Sequence, residues 1–213
     1  MIALEPGADG QRLVLVRHGQ TPSNVAGVLD TALPGPGLTE EGQQQAAALA
    51  ERLAAEKIAA IHTSRARRAQ ETARPLADRH GLEPGVLHGT HEVQVGELEG
   101  RGDAAARQRF DDVYAAWHLG RLDRPMPGGE TGRQALTRFA ESAQEALSDG
   151  LPGAIVLVSH GAMVRLVAAQ LSAEIGGERA NAAYLPNTGV IVLEPDAQSP
   201  TGWRCAHWDD LPV

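Results

Sequence analysis

The chain has 213 residues, of which 42% are hydrophobic and 3% aromatic, so one domain can bury a core built from Ala, Val and Leu. Its net charge of −8 argues against a nucleic-acid surface, which is usually basic, and means that any anion pocket must be a local positive patch. A single cysteine excludes an intramolecular disulfide, and no apolar run approaches the length of a membrane span, so we expect a cytoplasmic protein without a membrane partner.

The first half of the chain predicts strands that alternate with helices. Residues 1–11 should be a loose leader that lacks the apolar core of a signal peptide, and residues 13–16 the first buried strand. Prolines and glycines predict a loop over residues 21–37, after which Thr39 should cap a helix. The other predicted elements are a helix through 46–55, a strand at 58–61, a helix from about 65 to about 80 with a kink at Pro75, and a short strand at 86–87.

The second half continues this alternation. Residues 92–102 predict a loop rich in glycine and glutamate, and a helix should begin at Asp103. That helix presents one apolar face, because Phe110, Val113, Tyr114 and Trp117 recur at helical spacing. A break at 125–129, a helix from Thr131 to about 147, a strand at 155–158, a helix at 162–171 and strands at 190–193 and 204–207 follow. The whole pattern predicts an α/β fold, a three-layer αβα sandwich around a mostly parallel mixed sheet.

Two apolar stretches end in the same way, with a histidine followed by a glycine. Residues 14–16 run into Arg17-His18-Gly19, and residues 155–158 run into Ser159-His160-Gly161. Sites in α/β proteins lie where strands end at the carboxyl edge of the sheet, so both imidazoles should meet there. A lone histidine at a strand end is usually structural, but the repeated unit and the neighbouring arginine favour catalysis. A nucleophilic imidazole must be neutral, and its second nitrogen must donate to a fixed acceptor.

An arginine-rich run and several glutamates offer further chemistry. The run at 65–68 would ordinarily be a solvated helix face, yet it directly follows a strand, where a helix N-terminus attracts anions. One arginine there could clamp a phosphate with two parallel hydrogen bonds. Among Glu92, Glu97 and Glu99, two are expected to be ordinary surface residues, and one held near a bound anion could act as a general acid.

Metal binding is the competing use of the histidines. His91-Glu92 begins a His-Glu-x-x-His pattern, but Val95 occupies the final position and the motif fails. Arginines beside His18 and His160 would also repel a metal ion. We therefore expect neither a metal nor a cofactor.

Together these residues resemble the histidine phosphatase superfamily, in its phosphoglycerate-mutase-like branch. Each motif alone is weak, but the set occurs in the family's order and spans residues 13–161. The matching residues are Arg17-His18-Gly19-Gln20-Thr21 with Asn24, Leu38-Thr39-Glu40-Glu41-Gly42 with Gln45-Ala46, Ser64 with Arg68-Ala69 and Thr72-Ala73, Glu92 with Gly96 and Glu99-Gly100, Gly128-Gly129-Glu130, and Ser159-His160-Gly161.

The resemblance implies a role for each matching position. His18 would be the nucleophile that becomes phosphohistidine, and Glu92 the proton donor to the leaving oxygen. The phosphate pocket would use arginines and a protonated histidine for charge, without a metal. Its residues would be Arg17, Arg68 and His160, with Thr21, Asn24 and the Gly161 backbone as further substrate contacts. Residues 1–213 would form a single domain with a helical lid insertion at about 103–127.

The sequence departs from the cofactor-dependent mutases of this family. These usually follow the acidic residue with Arg-His-Tyr-Gly, whereas Glu92 here precedes Val93-Gln94-Val95-Gly96, and residues 30–37 lack their Gly-Trp-x-Asp element. The resemblance therefore favours a phosphatase that acts on a small phosphorylated metabolite. Mutase-type phosphoryl transfer and a non-catalytic module that binds a phosphometabolite are the alternatives. Neither the substrate nor the oligomeric state follows from the sequence.

Overall fold

The computed structural model describes residues 4–7, 10–209, 211 and 213. The strands in this part of the chain are β1 (Gln11–Arg17), β2 (Ile58–Ser64), β3 (Gly85–Leu87), β4 (Gly153–Ser159), β5 (Val190–Pro195) and β6 (Trp203–Trp208). The helices are α1 (Pro22–Ala26), α2 (Glu40–Arg52), α3 (Arg67–His80), α4 (Ala104–His118), α5 (Gly132–Leu147), α6 (Gly161–Leu171) and α7 (Gly176–Ala182), with a 3-10 turn at Gly96–Leu98.

The strands form one mixed sheet in the order β3-β2-β4-β1-β5-β6. The pairs β3–β2, β2–β4 and β4–β1 are parallel. The pairs β1–β5 and β5–β6 are antiparallel. Along β1, Leu13 and Leu15 pack in a cluster with α4 to α7, and Val14 and Val16 pack in a second cluster with α2 and α3. Since successive side chains of a strand point to opposite faces, helices cover both faces of the sheet. The predicted three-layer α/β fold is confirmed.

The predicted helix starts have clear local causes. The hydroxyl of Thr39 accepts a hydrogen bond from the Gly42 amide, and Glu40 and Glu41 complement the helix dipole in the first turn of α2. Thr131 and Gln134 form a reciprocal capping box at the start of α5. None of the helices in the described ranges is long and apolar enough to cross a bilayer.

Two expectations from the sequence are wrong in part. Residues 21–37 are not all loop, because Thr21 and Asn24 form a capping box that starts α1. The leader is not wholly loose: Leu4 is buried and its carbonyl accepts from the Trp203 indole, although residues 1–3, 8 and 9 lie outside the described residues. Helix α7 was not predicted, whereas α3 begins at Arg67 and ends at His80, close to the predicted bounds.

The sheet register positions the two histidines. Arg17 is the Cα partner of Ser159 in the parallel β1–β4 pair, so His18 and His160 follow neighbouring strands at the same edge. The next residue after His160 begins α6, whose amide groups therefore point toward that edge. The sequence pattern of two strands that end in His-Gly thus becomes one local constellation.

Candidate active site

His18 is buried at the end of β1 and is held in one tautomer. Its Nδ1 lies 2.7 Å from the carbonyl oxygen of Gly19, and because a carbonyl only accepts, Nδ1 must carry the hydrogen. The lone pair is therefore on Nε2. Burial, followed by the charges of Arg68 and Arg17, holds the pKa of His18 well below its usual value, against the raising effect of the Gly19 hydrogen bond. His18 is a neutral imidazole at neutral pH, as a nucleophile requires.

His160 lies beside His18, with ring centroids 5.2 Å apart. An Arg68 Nη2 donates to its Nδ1 at 3.2 Å, so its Nε2 carries the hydrogen and donates to the Ser64 hydroxyl at 2.8 Å. Burial and the charge of Arg68 lower the pKa of His160 well below its usual value. The expectation of a protonated His160 is therefore wrong for the free protein, because desolvation and a neighbouring guanidinium both disfavour the cation.

Arg17 at the end of β1 and Arg68 in the first turn of α3 converge on the same place. Arg17 Nη1 donates to the Leu185 carbonyl at 2.6 Å and to the Tyr184 hydroxyl at 3.2 Å. Arg68 Nη2 also donates to the Asp30 carbonyl at 3.2 Å. Among the described residues, the buried Arg17 Nε and Arg68 Nη1 have no hydrogen-bond partner. Two unpaired guanidinium donors beside a neutral imidazole form the positive patch that an anion needs in a protein of negative net charge.

The three predicted accessory contacts occupy the walls of the same cavity. The oxygen of the Asn24 side chain accepts from the Thr21 amide at 3.0 Å and from Asn187 Nδ2 at 3.2 Å, which leaves its amino group as the donor for a ligand. The Thr21 hydroxyl accepts from the Asn24 amide and serves as the helix cap. A Cβ on Gly161 would come within 3.1 Å of Arg17 Nε, so glycine keeps the backbone open there.

Glu92 faces the start of α6. Its Oε1 accepts from the amides of Val93 and Met163, both at 2.9 Å, and its Oε2 accepts from the Ala162 amide at 3.2 Å. The carboxyl is thus fixed in the cavity that holds His18. Of the other two glutamates, Glu97 is exposed, whereas Glu99 is not an ordinary surface residue because it accepts from the amide and hydroxyl of Thr31.

A buried ion pair holds the segment that carries Glu92. Arg138 donates to the carbonyls of Gly89, His91 and Glu92 at 2.5, 2.8 and 2.9 Å. It also pairs with Glu130 through two hydrogen bonds of 2.6 and 3.0 Å. The sequence analysis missed Arg138, which lies two helical turns after the Gly-Gly-Glu motif, on the face of α5 that packs inward.

The cavity around these groups has a volume of about 230 Å³. Beyond the predicted residues its walls include Phe110 from α4, Arg165 from α6 and Tyr184 from the chain after α7. Asn187 was also missed: its amide donates to the His18 carbonyl at 3.0 Å and supports Asn24. No strand or helix pattern marks residues 184–187, so the sequence carried no signal for them.

Comparison with known proteins agrees with this arrangement. The model of the histidine phosphatase superfamily (branch 1) matches residues 13–210. The chain belongs to this superfamily. The chain is similar to the adenosylcobalamin/alpha-ribazole phosphatase of Salmonella typhimurium, with 34% identity over 163 residues that cover 75% of this chain and 69% of that protein.

Two further relatives of this superfamily member extend the comparison. PE-PGRS family protein PE_PGRS11 of Mycobacterium tuberculosis is 36% identical and matches 97% of this chain, which spans only 38% of the length of that protein. The structure of a mycobacterial glucosyl-3-phosphoglycerate phosphatase with VO3 superposes with a TM-score of 0.72 at 29% identity, over 94% of this chain and 99% of that one. The histidine phosphatase fold therefore extends over nearly the whole chain.

Proposed function

We propose that this protein is a phosphatase that hydrolyses a small phosphomonoester through a phosphohistidine intermediate on His18. The observation that carries the proposal is the neutral His18, whose Nδ1 is tied to the Gly19 carbonyl and whose Nε2 lone pair shares a cavity with two unpaired guanidinium donors. Relatives named as phosphatases for alpha-ribazole and glucosyl-3-phosphoglycerate support a small phosphorylated substrate.

In the first step Nε2 of His18 attacks phosphorus and the bond to the alcohol oxygen breaks. Arg17 and Arg68 bind the non-bridging oxygens, where charge is spread in a loose transition state. The departing oxygen takes a proton from Glu92. We assign that proton to Oε2, because Oε1 accepts two amide hydrogen bonds of 2.9 Å and Oε2 only one of 3.2 Å.

In the second step water attacks phosphorus and gives a proton to Glu92. The P–N bond breaks, phosphate leaves and His18 returns to its neutral form. Each group thus ends in its starting state, and no metal takes part in either step. Asn24, Thr21 and Gly161 complete the substrate site by lining the phosphate end of the cavity.

We also infer that residues 1–213 form a single domain and that the insertion at about 103–127 is a lid. Both hydrophobic clusters lie against one sheet, which supports the first point. For the second, Phe110 of α4 lines the cavity, and the Tyr114 hydroxyl donates to the Ala162 carbonyl at 2.7 Å beside the Glu92 carboxyl. Exchange of exposed α4 residues should then reorder the preference among substrates.

The decisive test is phosphate release from a panel of phosphomonoesters in the presence of a chelator. His18→Ala should abolish release, and the exposed His88→Ala should retain it. Quenching in alkaline detergent with substrate labelled at phosphorus should trap label on the wild type and not on His18→Ala, because the P–N bond of phosphohistidine is stable in alkali. Transfer between phosphoglycerates without net release would instead support the mutase alternative, and binding without release would support the non-catalytic module.

Glu92 is tested separately with two leaving groups. Glu92→Gln should lower turnover of an alkyl phosphate by about 10²–10⁴-fold, the usual contribution of a general acid, and lower turnover of nitrophenyl phosphate much less because nitrophenolate needs no proton. Equal losses on both esters would argue against Glu92 as the acid.

A further inference from the structure

A third arginine lines the cavity of His18 and takes no part in the proposed phosphoryl transfer. Arg165 lies one helical turn after Gly161 on α6, on the same face of the helix. It lines the same cavity as Arg17 and Arg68, together with Phe110 and Tyr184.

The contacts of Arg165 fix its position without neutralising its charge. Its Nη2 donates to the carbonyls of Ala180 at 3.1 Å and Asn181 at 2.7 Å, and its guanidinium carbon lies 5.4 Å from the centroid of the Tyr114 ring. Its Nε is buried without a partner. Within the described part of the chain, no carboxylate lies within ion-pair distance of it, although Asp111 is close enough for Arg165 to oppose the rise that burial causes in the Asp111 pKa.

The acidic groups of the cavity are engaged elsewhere. The Asp30 carboxylate accepts from the Ser23 hydroxyl and opposes the lowering of the Arg68 pKa that burial causes. The Glu92 carboxyl is bound by the first amides of α6. Arg165 is therefore a preorganised cation whose charge has no carboxylate partner. Both hydrogens of Nη2 are engaged by α7 carbonyls, so a carboxylate or phosphate would accept from Nη1 and the unpartnered Nε of this guanidinium.

We propose that Arg165 binds a second anionic group, a carboxylate or a phosphoryl group, on the leaving alcohol. The inference rests on the proposed phosphatase function and adds the substrate class: short phosphomonoesters that carry another negative charge. A cavity of about 230 Å³ suits a small alcohol of this kind. The anion would accept from the Arg165 guanidinium, while the first phosphoryl group lies against His18.

The test compares three esters with the same three-carbon backbone. Glycerate 3-phosphate carries a carboxylate, glycerol 1,3-bisphosphate carries a second phosphoryl group, and glycerol 3-phosphate carries neither. The readout is the ratio of kcat/KM for each anionic ester to kcat/KM for glycerol 3-phosphate. This ratio does not depend on the fraction of folded enzyme, so it reports recognition even if loss of the α7 contacts destabilises a variant.

The wild type should prefer at least one anionic ester, and Arg165→Met should reduce that ratio by about tenfold or more. Arg165→Lys keeps the charge but not the planar fork and should lose less. Arg121→Met, an exposed arginine after α4, is the matched control and should leave the ratio unchanged. The ester whose ratio falls identifies the anion as carboxylate or phosphoryl.

Three results would overturn the inference. A wild type without preference for either anionic ester would do so, as would a preference that survives Arg165→Met, provided that both proteins turn over nitrophenyl phosphate. In these cases the phosphatase assignment stands and only the role of Arg165 falls. Failure of the wild type to release phosphate from any ester would overturn the phosphatase assignment and this inference with it.

Discussion

The ion pair between Arg138 and Glu130 should be the most sensitive support of the candidate site. Both side chains are largely buried, with 18% and 9% of their surface exposed. Arg138→Met would remove the guanidinium and leave Glu130 with the Gln94 amide, a bond of 2.7 Å. Breaking a buried pair in this way costs about 3–5 kcal/mol. At about 2–4 °C per kcal/mol for a chain of this size, Tm should fall by about 6–20 °C.

Most of this loss of stability should come from the unpaired buried carboxylate of Glu130 rather than from the loss of packing around residue 138. Glu130→Gln combined with Arg138→Met removes both charges, so the double variant should be more stable than Arg138→Met alone. The control is Arg133→Met on the same helix, because Arg133 pairs with Asp123 on the exposed surface. That substitution should change the free energy of unfolding by about 0–1 kcal/mol.

The same substitution should affect activity through Glu92. Arg138 holds the Glu92 carbonyl at 2.9 Å, so its loss should let the carboxyl move from the start of α6. Turnover of an alkyl phosphate should then fall more than turnover of nitrophenyl phosphate, as measured by initial rates beside urea melts at pH 7.5. A single variant that loses less than about 1 kcal/mol, or a double variant no better than the single, would refute the reasoning.

Two more predictions concern stability. Burial lowers the pKa of His118 to about 4, below the value of about 6.5 in the unfolded chain, so its contribution to stability is complete above pH 6.5 and is lost as pH falls toward 4. Between pH 7.5 and 5, the free energy of unfolding of His118→Leu should therefore fall by about 2 kcal/mol less than that of the wild type, as measured by urea melts. An equal fall in both proteins would contradict this. Gly42→Ala would place a Cβ 2.2 Å from the Gln20 carbonyl in the segment after His18, so calorimetry should show a loss of about 1–3 kcal/mol, and an unchanged Tm would show that the segment yields freely.

The features that the sequence predicted are those with local or periodic causes. The two apolar stretches that end in His-Gly predicted β1 and β4. Because these strands are parallel, their histidines meet at the same edge of the sheet. The cap of α1 was present in Thr21 and Asn24, but the prolines and glycines of that region favoured a loop. Short helices escape a periodicity argument because fewer than two turns give no repeat, as α7 also shows.

The features that the sequence could not predict depend on contacts between distant residues. Asn187 donates to the side chain of Asn24, which lies 163 positions earlier in the chain. Arg138 donates to the carbonyl of Glu92, which lies 46 positions earlier. Arginines are frequent in this chain and their residue type gives no clue to which are buried. The charge of His160 was mispredicted for a related reason, since desolvation depends on packing that only the folded chain has.

The neutral state of His160 in the free protein changes how the phosphate pocket attracts its anion. A phosphate dianion carries about two negative charges, which Arg17 and Arg68 alone can match. His160 then serves the pocket through geometry: its Nδ1 accepts from Arg68 Nη2, and its Nε2 donates to Ser64 at the end of β2. This leaves Arg68 Nη1, like Arg17 Nε, as an unpartnered donor for the anion among the described residues. Burial, with the charges of the same two guanidinium groups, lowers the pKa of His18, so the pocket that attracts the substrate also keeps its nucleophile unprotonated.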